Sequence, residues 1–126
     1  LPDGRAVLLD AAHNQQGAEA LAAHLEETGI RAPVVFAAMR DKDASSMIRA
    51  LTPAVSRFIV TRASNPRSAD PASLADVIAR VAPTMPVELA ESPERALALA
   101  LERSAFAVVA GSIFLLADVM KRLPRP

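Results

Sequence analysis

Short apolar runs alternating with segments of helical periodicity predict an α/β fold: a Rossmann-like three-layer domain, its mainly parallel sheet of five to six strands flanked by about five helices. Three observations carry this expectation. The runs are three or four residues long and almost wholly apolar, as in strands buried on both faces of a parallel sheet. The segments between them repeat apolar residues at i, i+3, i+4 and i+7, which is one face of a helix. Capping residues and turn formers sit at the joints.

The runs, in order, are Val7-Leu8-Leu9, Val34-Val35-Phe36, Phe58-Ile59-Val60, Val87-Glu88-Leu89 and Phe106-Ala107-Val108-Val109. The fourth is the weakest, because Glu88 interrupts it. The helical faces are Ala18, Leu21, Ala22 and Leu25, then Ala44, Met47, Ile48 and Leu51, then Leu74, Val77, Ile78 and Val81. An Ala-rich stretch around Leu97 and Leu101 is a helix by propensity as well, and Leu116, Val119, Met120 and Leu123 repeat the pattern at the end. Asp70-Pro71 and Ser92-Pro93 each place a capping side chain before a proline at the first helical position, and Gly29 closes the first helix. Five βα units result, implying parallel strands joined by right-handed crossovers.

The 126 residues make one domain, 1–126, with enough chain for a single core. Only Leu1 to Gly4 and Pro124 to Pro126 read as linker or tail, and the first strand follows so soon that the chain is expected to begin just after an interdomain hinge. Hydrophobic residues are 52% and charged residues 22%, so the chain falls outside the disordered class. The formal net charge is zero, the basic residues are scattered, and Trp and Tyr are absent; neither a phosphate-backbone footprint nor base-stacking platforms can be read, so no nucleic acid is expected as partner. No apolar run reaches the roughly 20 residues that span a bilayer. Without cysteine there is no disulfide framework or thiolate metal site. These features read as a cytoplasmic, monomeric domain with no membrane partner.

Ligands of open α/β sheets bind outside the carboxyl ends of the strands, so chemistry is expected in the loops that follow each run. Asp10-Ala11-Ala12-His13-Asn14 crowds a carboxylate, an imidazole and an amide at a helix start. Asp10 can accept hydrogen bonds from ribose hydroxyls and the helix start can meet an anion; equally, Asn14 can simply cap the helix. Met39-Arg40-Asp41-Lys42-Asp43 is either a solvated loop capped by Asp43 or a charged binding loop. Thr61 to Arg67 is the longest polar stretch, and its Arg62 and Arg67 can serve anions or solubility. Gly111-Ser112 allows close backbone approach, and Ser112 can face a ligand or cap the next helix. His13 and His24 do not have zinc-ligand spacing, and no metal site is expected; His24 reads as a helix-surface residue. The chain lacks GxSxG, GxGxxG and GxxxxGK[ST], so it has no hydrolase elbow and no triphosphate cradle of its own.

Together these loops resemble those of the dihydrofolate synthase/folylpolyglutamate synthase family of the Mur ligase superfamily. Asp10-Ala11-Ala12-His13-Asn14 with Gly17-Ala18 is similar to the DGAHN-x-x-G-A signature that opens the family's carboxy-terminal domain. Asp41-Lys42-Asp43 matches its DKD, Thr61 with Pro66-Arg67 its T…PR, and Gly111-Ser112-Ile113-Phe114-Leu115 its GS[LI]-aromatic-L. Ala11 stands where the family usually has Gly and Gln15 where it often has Pro, which puts the shape of that loop in doubt. The resemblance implies an ATP-dependent amide ligase of folate biosynthesis, in which a carboxylate of dihydropteroate or folate is activated as an acyl phosphate and attacked by the amino group of L-glutamate. It implies that ATP and Mg2+ are held mainly by an amino-terminal domain that this chain does not contain, and that this domain is its partner. By the same resemblance Asp10 holds the ATP ribose, catalytic His13 lines the nucleotide and phosphoryl side with Asn14, and Lys42 and Ser112 hold glutamate. Asp41, Asp43 and Arg67 are expected to shape their loops. Two other readings compete: a stand-alone, non-catalytic α/β module binding a nucleotide or partner, and the equivalent domain of a peptidoglycan Mur ligase.

Overall fold

The structure, a computed structural model, describes residues 3–123; the tail expected at Pro124 to Pro126, and the first two residues of the one expected at Leu1 to Gly4, lie outside them. Five strands, β1 (Ala6–Leu9), β2 (Ala32–Phe36), β3 (Val55–Val60), β4 (Val87–Leu89) and β5 (Phe106–Ala110), alternate with five helices, α1 (Gln15–Thr28), α2 (Ala44–Leu51), α3 (Pro71–Val81), α4 (Pro93–Glu102) and α5 (Ile113–Met120). A 3-10 turn, Thr52–Ala54, leads into β3.

The strands form one sheet in the order β1-β5-β2-β3-β4, and every pairing is parallel. From β1 through β4 the chain moves in one direction across the sheet; after β4 it turns back and inserts β5 between β1 and β2. With right-handed crossovers, that reversal must switch helices to the other face. The core confirms it. On one face Leu21, Leu25, Met47, Ile48, Leu51, Leu74 and Ile78 of α1 to α3 pack on Val34, Phe36, Phe58, Val60 and Val108. On the other, Ala96, Leu97, Ala100 and Leu101 of α4 and Leu115 and Val119 of α5 pack on Val35, Ile59, Ala107 and Val109. Alternate residues of one strand thus feed the two cores, as the two-residue repeat of a strand requires. Phe36 and Phe58 meet edge to face, with ring centroids 5.9 Å apart.

The cap expectations are met. Asp70 accepts from Ala72 N and Ser92 from Arg95 N, each followed by proline at the start of its helix, and Gly29 ends α1 at φ 72°. Two expectations need correction. The run Val87-Glu88-Leu89 is not buried on both faces: β4 is an edge strand with Glu88 and Leu89 exposed, and Glu88 pairs with Arg57 of neighbouring β3. The buried face of α5 is Leu115 and Val119, with Met120 57% exposed. This helix, IFLLADVM, is apolar almost all round, so periodicity could not select the face that packs.

Candidate functional site

Because all five strands are parallel, every loop after a strand opens on one edge of the sheet. The loop after β5 heads for α5 on one face while its neighbours after β1 and β2 head for α1 and α2 on the other, and the reversal opens a crevice above β5. Gly111 makes the exit from β5 possible. Its φ is 107°, and a Cβ there would lie 2.1 Å from Ala37 O and 2.8 Å from the Phe36 ring. Its amide donates to Ala12 O at 2.8 Å, which draws the loop after β1 against the loop after β5. Gly17 serves the same contact from below, since a Cβ there would sit 3.1 Å from the Ala12 Cα.

The crevice holds a cavity of about 320 Å³ lined by His13, Asp41, Lys42, Arg67 and Ser112, with Met39, Gly111, Ile113 and Phe114 as its less polar wall. That volume is near the lower end of ligand cavities, roughly 300 to 1,000 Å³. Loops following β1, β2, β3 and β5 all contribute. Of the residues singled out in the sequence, His13, Lys42 and Ser112 come together here, while Asp10 and Asn14 stand on the same edge outside the lining. Arg67, which the sequence left open between serving anions and solubility before placing it with the loop-shaping residues, and Asp41, placed with them too, also line the cavity; their charge and their place after β3 and β2 were the available signal.

The local hydrogen bonds define what each side chain has left to offer. Asp10 Oδ1 accepts from Ala12 N at 2.8 Å. His13 Nδ1 lies 3.0 Å from Ala11 O, and since a carbonyl only accepts, Nδ1 carries a proton and Nε2 is the free nitrogen. Asn14 caps α1 by accepting from Gly17 N at 2.8 Å, leaving its amide donors available. Ser112, 2% exposed, caps α5 by accepting from Phe114 N at 3.1 Å and Leu115 N at 3.4 Å, so its hydroxyl proton remains to be donated. Asn65 and Ser68 shape the loop that carries Arg67: Asn65 Oδ1 accepts from Arg67 N at 2.9 Å, Ser68 Oγ accepts from Ala63 N at 3.0 Å, and Arg67 O accepts from Arg40 N at 2.8 Å. Buried Thr61 is structural, its hydroxyl donating to Ala90 O at 3.0 Å.

Asp43 is the cap of α2. Its carboxylate accepts from the Ser46 hydroxyl at 2.6 Å and from Ser46 N at 3.1 Å, and these bonds, the hydroxyl one foremost, hold its pKa below the ordinary carboxylate value. A depressed folded-state pKa stabilises the fold above the unfolded value, about pH 4, and the contribution is lost as pH falls through the folded value. Asp43→Ala is therefore expected to lower Tm at pH 7, with the gap to the wild type closing as melts are taken to lower pH; a gap that is constant down to the acid limit would contradict this origin.

A second hollow, about 420 Å³, lies between the loops after β3 and β4 and the end of α5. It is larger, but four of its charged side chains are engaged: Arg62 with Asp70 at 3.5 Å, Arg122 with Glu94 at 3.4 Å, and Asp118 with Ser64 N at 2.8 Å and Ser64 Oγ at 2.7 Å. Asp41, Lys42 and Arg67 have no ion-pair partner among the described residues. We therefore take the smaller cavity as the site.

Fold and edge together define the class: an α/β domain of the kind that receives ligands at the carboxyl ends of its strands. The family model of the Mur ligase, glutamate ligase domain matches residues 2–116, and the chain belongs to that family. Among solved structures it is similar to Mycobacterium tuberculosis folylpolyglutamate synthase complexed with ADP and AMPPCP, at 30% identity and TM-score 0.85, covering 95% of this chain and 30% of that one. It is also similar to E. coli FolC in complex with DHPP and ADP, at 23% identity and TM-score 0.79. A bifunctional folylpolyglutamate synthase/dihydrofolate synthase with Mn, AMPPNP and L-glutamate bound matches at 23% identity and TM-score 0.80. Each of these last two matches covers 92% of this chain and 28% of the other, and at that identity they speak for the fold alone. The chain thus spans under a third of these relatives' length. None of the curated proteins compared with it matches. Among the described residues no helix is long and apolar enough to cross a membrane.

Proposed function

We propose that this chain is the carboxy-terminal, glutamate-binding domain of an ATP-dependent amide ligase that adds L-glutamate to dihydropteroate or a folate. The observation that carries the reading is the small cavity above β5, where Lys42 and Arg67 present unpaired cations beside the Ser112 hydroxyl: a pocket of amino-acid size made for carboxylates. Membership of the glutamate ligase domain family and the nucleotides bound to the Mycobacterium tuberculosis enzyme support it.

The nucleotide-facing residues fit a ligand with hydroxyls and phosphates. Asp10 keeps one carboxylate oxygen free for a ribose hydroxyl, Asn14 keeps its amide donors, and His13 Nε2 is open. Metal is another matter. Among the described residues no group of three or more His, Cys, Asp or Glu can hold a metal ion, so no Mg2+-dependent step is assigned to this chain. ATP supplies the phosphoryl group that turns the substrate carboxylate into an acyl phosphate. This chain's residues then bind and orient: Lys42, as a compact cation, and Ser112, as a donor at a helix start, hold the amino acid so that its nitrogen, once the ammonium has released a proton to solvent, attacks the acyl carbon; the acyl C–O bond breaks, phosphate leaves, and the nitrogen releases a second proton to solvent. His13 stands on the phosphoryl side, with Nε2 the ring nitrogen left open to the ligand.

The test is ATP-dependent transfer of labelled L-glutamate to dihydropteroate or tetrahydrofolate by the full-length ligase. Asp10→Ala is expected to raise the KM for ATP about tenfold while leaving that for glutamate within about a factor of two, the cost of one hydrogen bond to a charged group. No transfer by the wild type, or an Asp10 effect on glutamate alone, would refute the assignment.

A further inference from the structure

The charges lining the cavity lead one step past the reading above, on which this inference rests. Its charged groups are two cations, Lys42 and Arg67, and one carboxylate, Asp41. Asp41 and Lys42 are consecutive, yet neither they nor Arg67 form a side-chain ion pair with any described residue. L-Glutamate carries the complement: two carboxylates and one ammonium. Two cations suffice for the carboxylates, but they repel the ammonium unless an anion faces it, since unit charges a few ångströms apart interact strongly away from bulk water. Among the described residues Asp41 is the only acid lining the cavity. Asp43 is turned to Ser46, and Asp10 bonds Ala12 N outside the lining.

We propose that Asp41 binds and orients the α-ammonium group of the incoming amino acid, while Lys42 and Arg67 divide its two carboxylates. The site is then selective for an amino dicarboxylate, and Asp41 determines which way the nitrogen faces when the ammonium releases a proton to solvent and becomes the nucleophilic amine. Positioning of that kind is where a ligase gains rate, because a misplaced nucleophile reacts far more slowly than an aligned one.

The experiment compares L-glutamate as substrate with glutarate, the same dicarboxylate without its amine, as competitive inhibitor of the full-length ligase. Asp41 is exposed and Asp41→Asn is nearly isosteric, so folding is not at stake. The expected result is a KM for L-glutamate about tenfold higher, an unchanged KM for ATP, and a glutarate inhibition constant unchanged or lower. An unchanged glutamate KM, or equal weakening of glutamate and glutarate, overturns the proposal. Lys42→Met separates this failure from that of the underlying reading. If it weakens both ligands while Asp41→Asn weakens neither, only the role of Asp41 falls; if Lys42→Met weakens neither, the cavity is not the amino-acid site and Asp41 falls with it.

Discussion

Gly111→Ala is expected to destabilise the protein by about 3 kcal/mol or more and to abolish the cavity above β5. Two costs combine. The backbone at φ 107° is one that a residue with a Cβ adopts only under strain, roughly 1 to 3 kcal/mol. The new methyl group would also meet Ala37 O at 2.1 Å and two Phe36 ring atoms at 2.8 and 2.9 Å, and overpacking of this kind typically costs about 1 to 3 kcal/mol. The carbonyl belongs to the backbone just after β2, so no rotamer change relieves it; β5 or the loop has to shift. At this chain length the loss corresponds to a fall in Tm of roughly 10 °C or more. Gly29→Ala is the control, with φ also positive at 72° but nothing within 4 Å of the added atom, and should cost only about 1 to 2 kcal/mol. Equal melting of the two variants would mean that the close approach at Gly111 is not what holds the loops after β1, β2 and β5 together.

The second large effect is expected at Lys42. Lys42→Met keeps the aliphatic stem and removes the charge from an exposed side chain with no partner of its own, so stability should hardly change. Loss of a hydrogen bond to a charged group typically costs about 1.5 to 3 kcal/mol, which is a ten- to hundredfold rise in the KM for glutamate, with the KM for ATP within about a factor of two. Ser112→Ala should act in the same direction but is a less clean variant. Its oxygen caps α5 through Phe114 N and Leu115 N, so about 1 kcal/mol of stability goes with the hydroxyl. A change confined to the KM for ATP in both variants would reassign this loop to the nucleotide.

What could be read in the sequence follows from what controls each element. β2, β3 and β5 lie inside the sheet, and their unbroken apolar runs are the direct consequence of burial on both faces. The edge strand β4 is partly exposed and carries Glu88, so its run was faint for a physical reason. The helices α1 to α3 have one wet face, and their period was legible; α5 is apolar on faces that do not pack, and its orientation was not. For the site, strand order puts His13, Lys42 and Ser112 on one edge, but the direction of a loop side chain depends on hydrogen bonds such as Asn65 to Arg67 N that no residue spacing announces. Arg67 and Asp41 were therefore assigned to loop shape. Asn14, Asp43 and Ser112 are all caps, and for Ser112 capping and lining the cavity coexist, because a hydroxyl that accepts two bonds still has a proton to donate.

The central claim is that the amino acid occupies the crevice above β5 and not the larger hollow beside α5. Amide hydrogen exchange on the full-length ligase, loaded with a non-hydrolysable nucleotide and folate and compared with and without L-glutamate, tests it most directly, because bound ligand slows exchange where it closes local opening. The expected result is slowing at residues 39–42, in the loop around Arg67 and at residues 111–114. Slowing at residues 91–94 and 118–122, with residues 39–42 and 111–114 unchanged, would place glutamate in the other hollow and contradict the account.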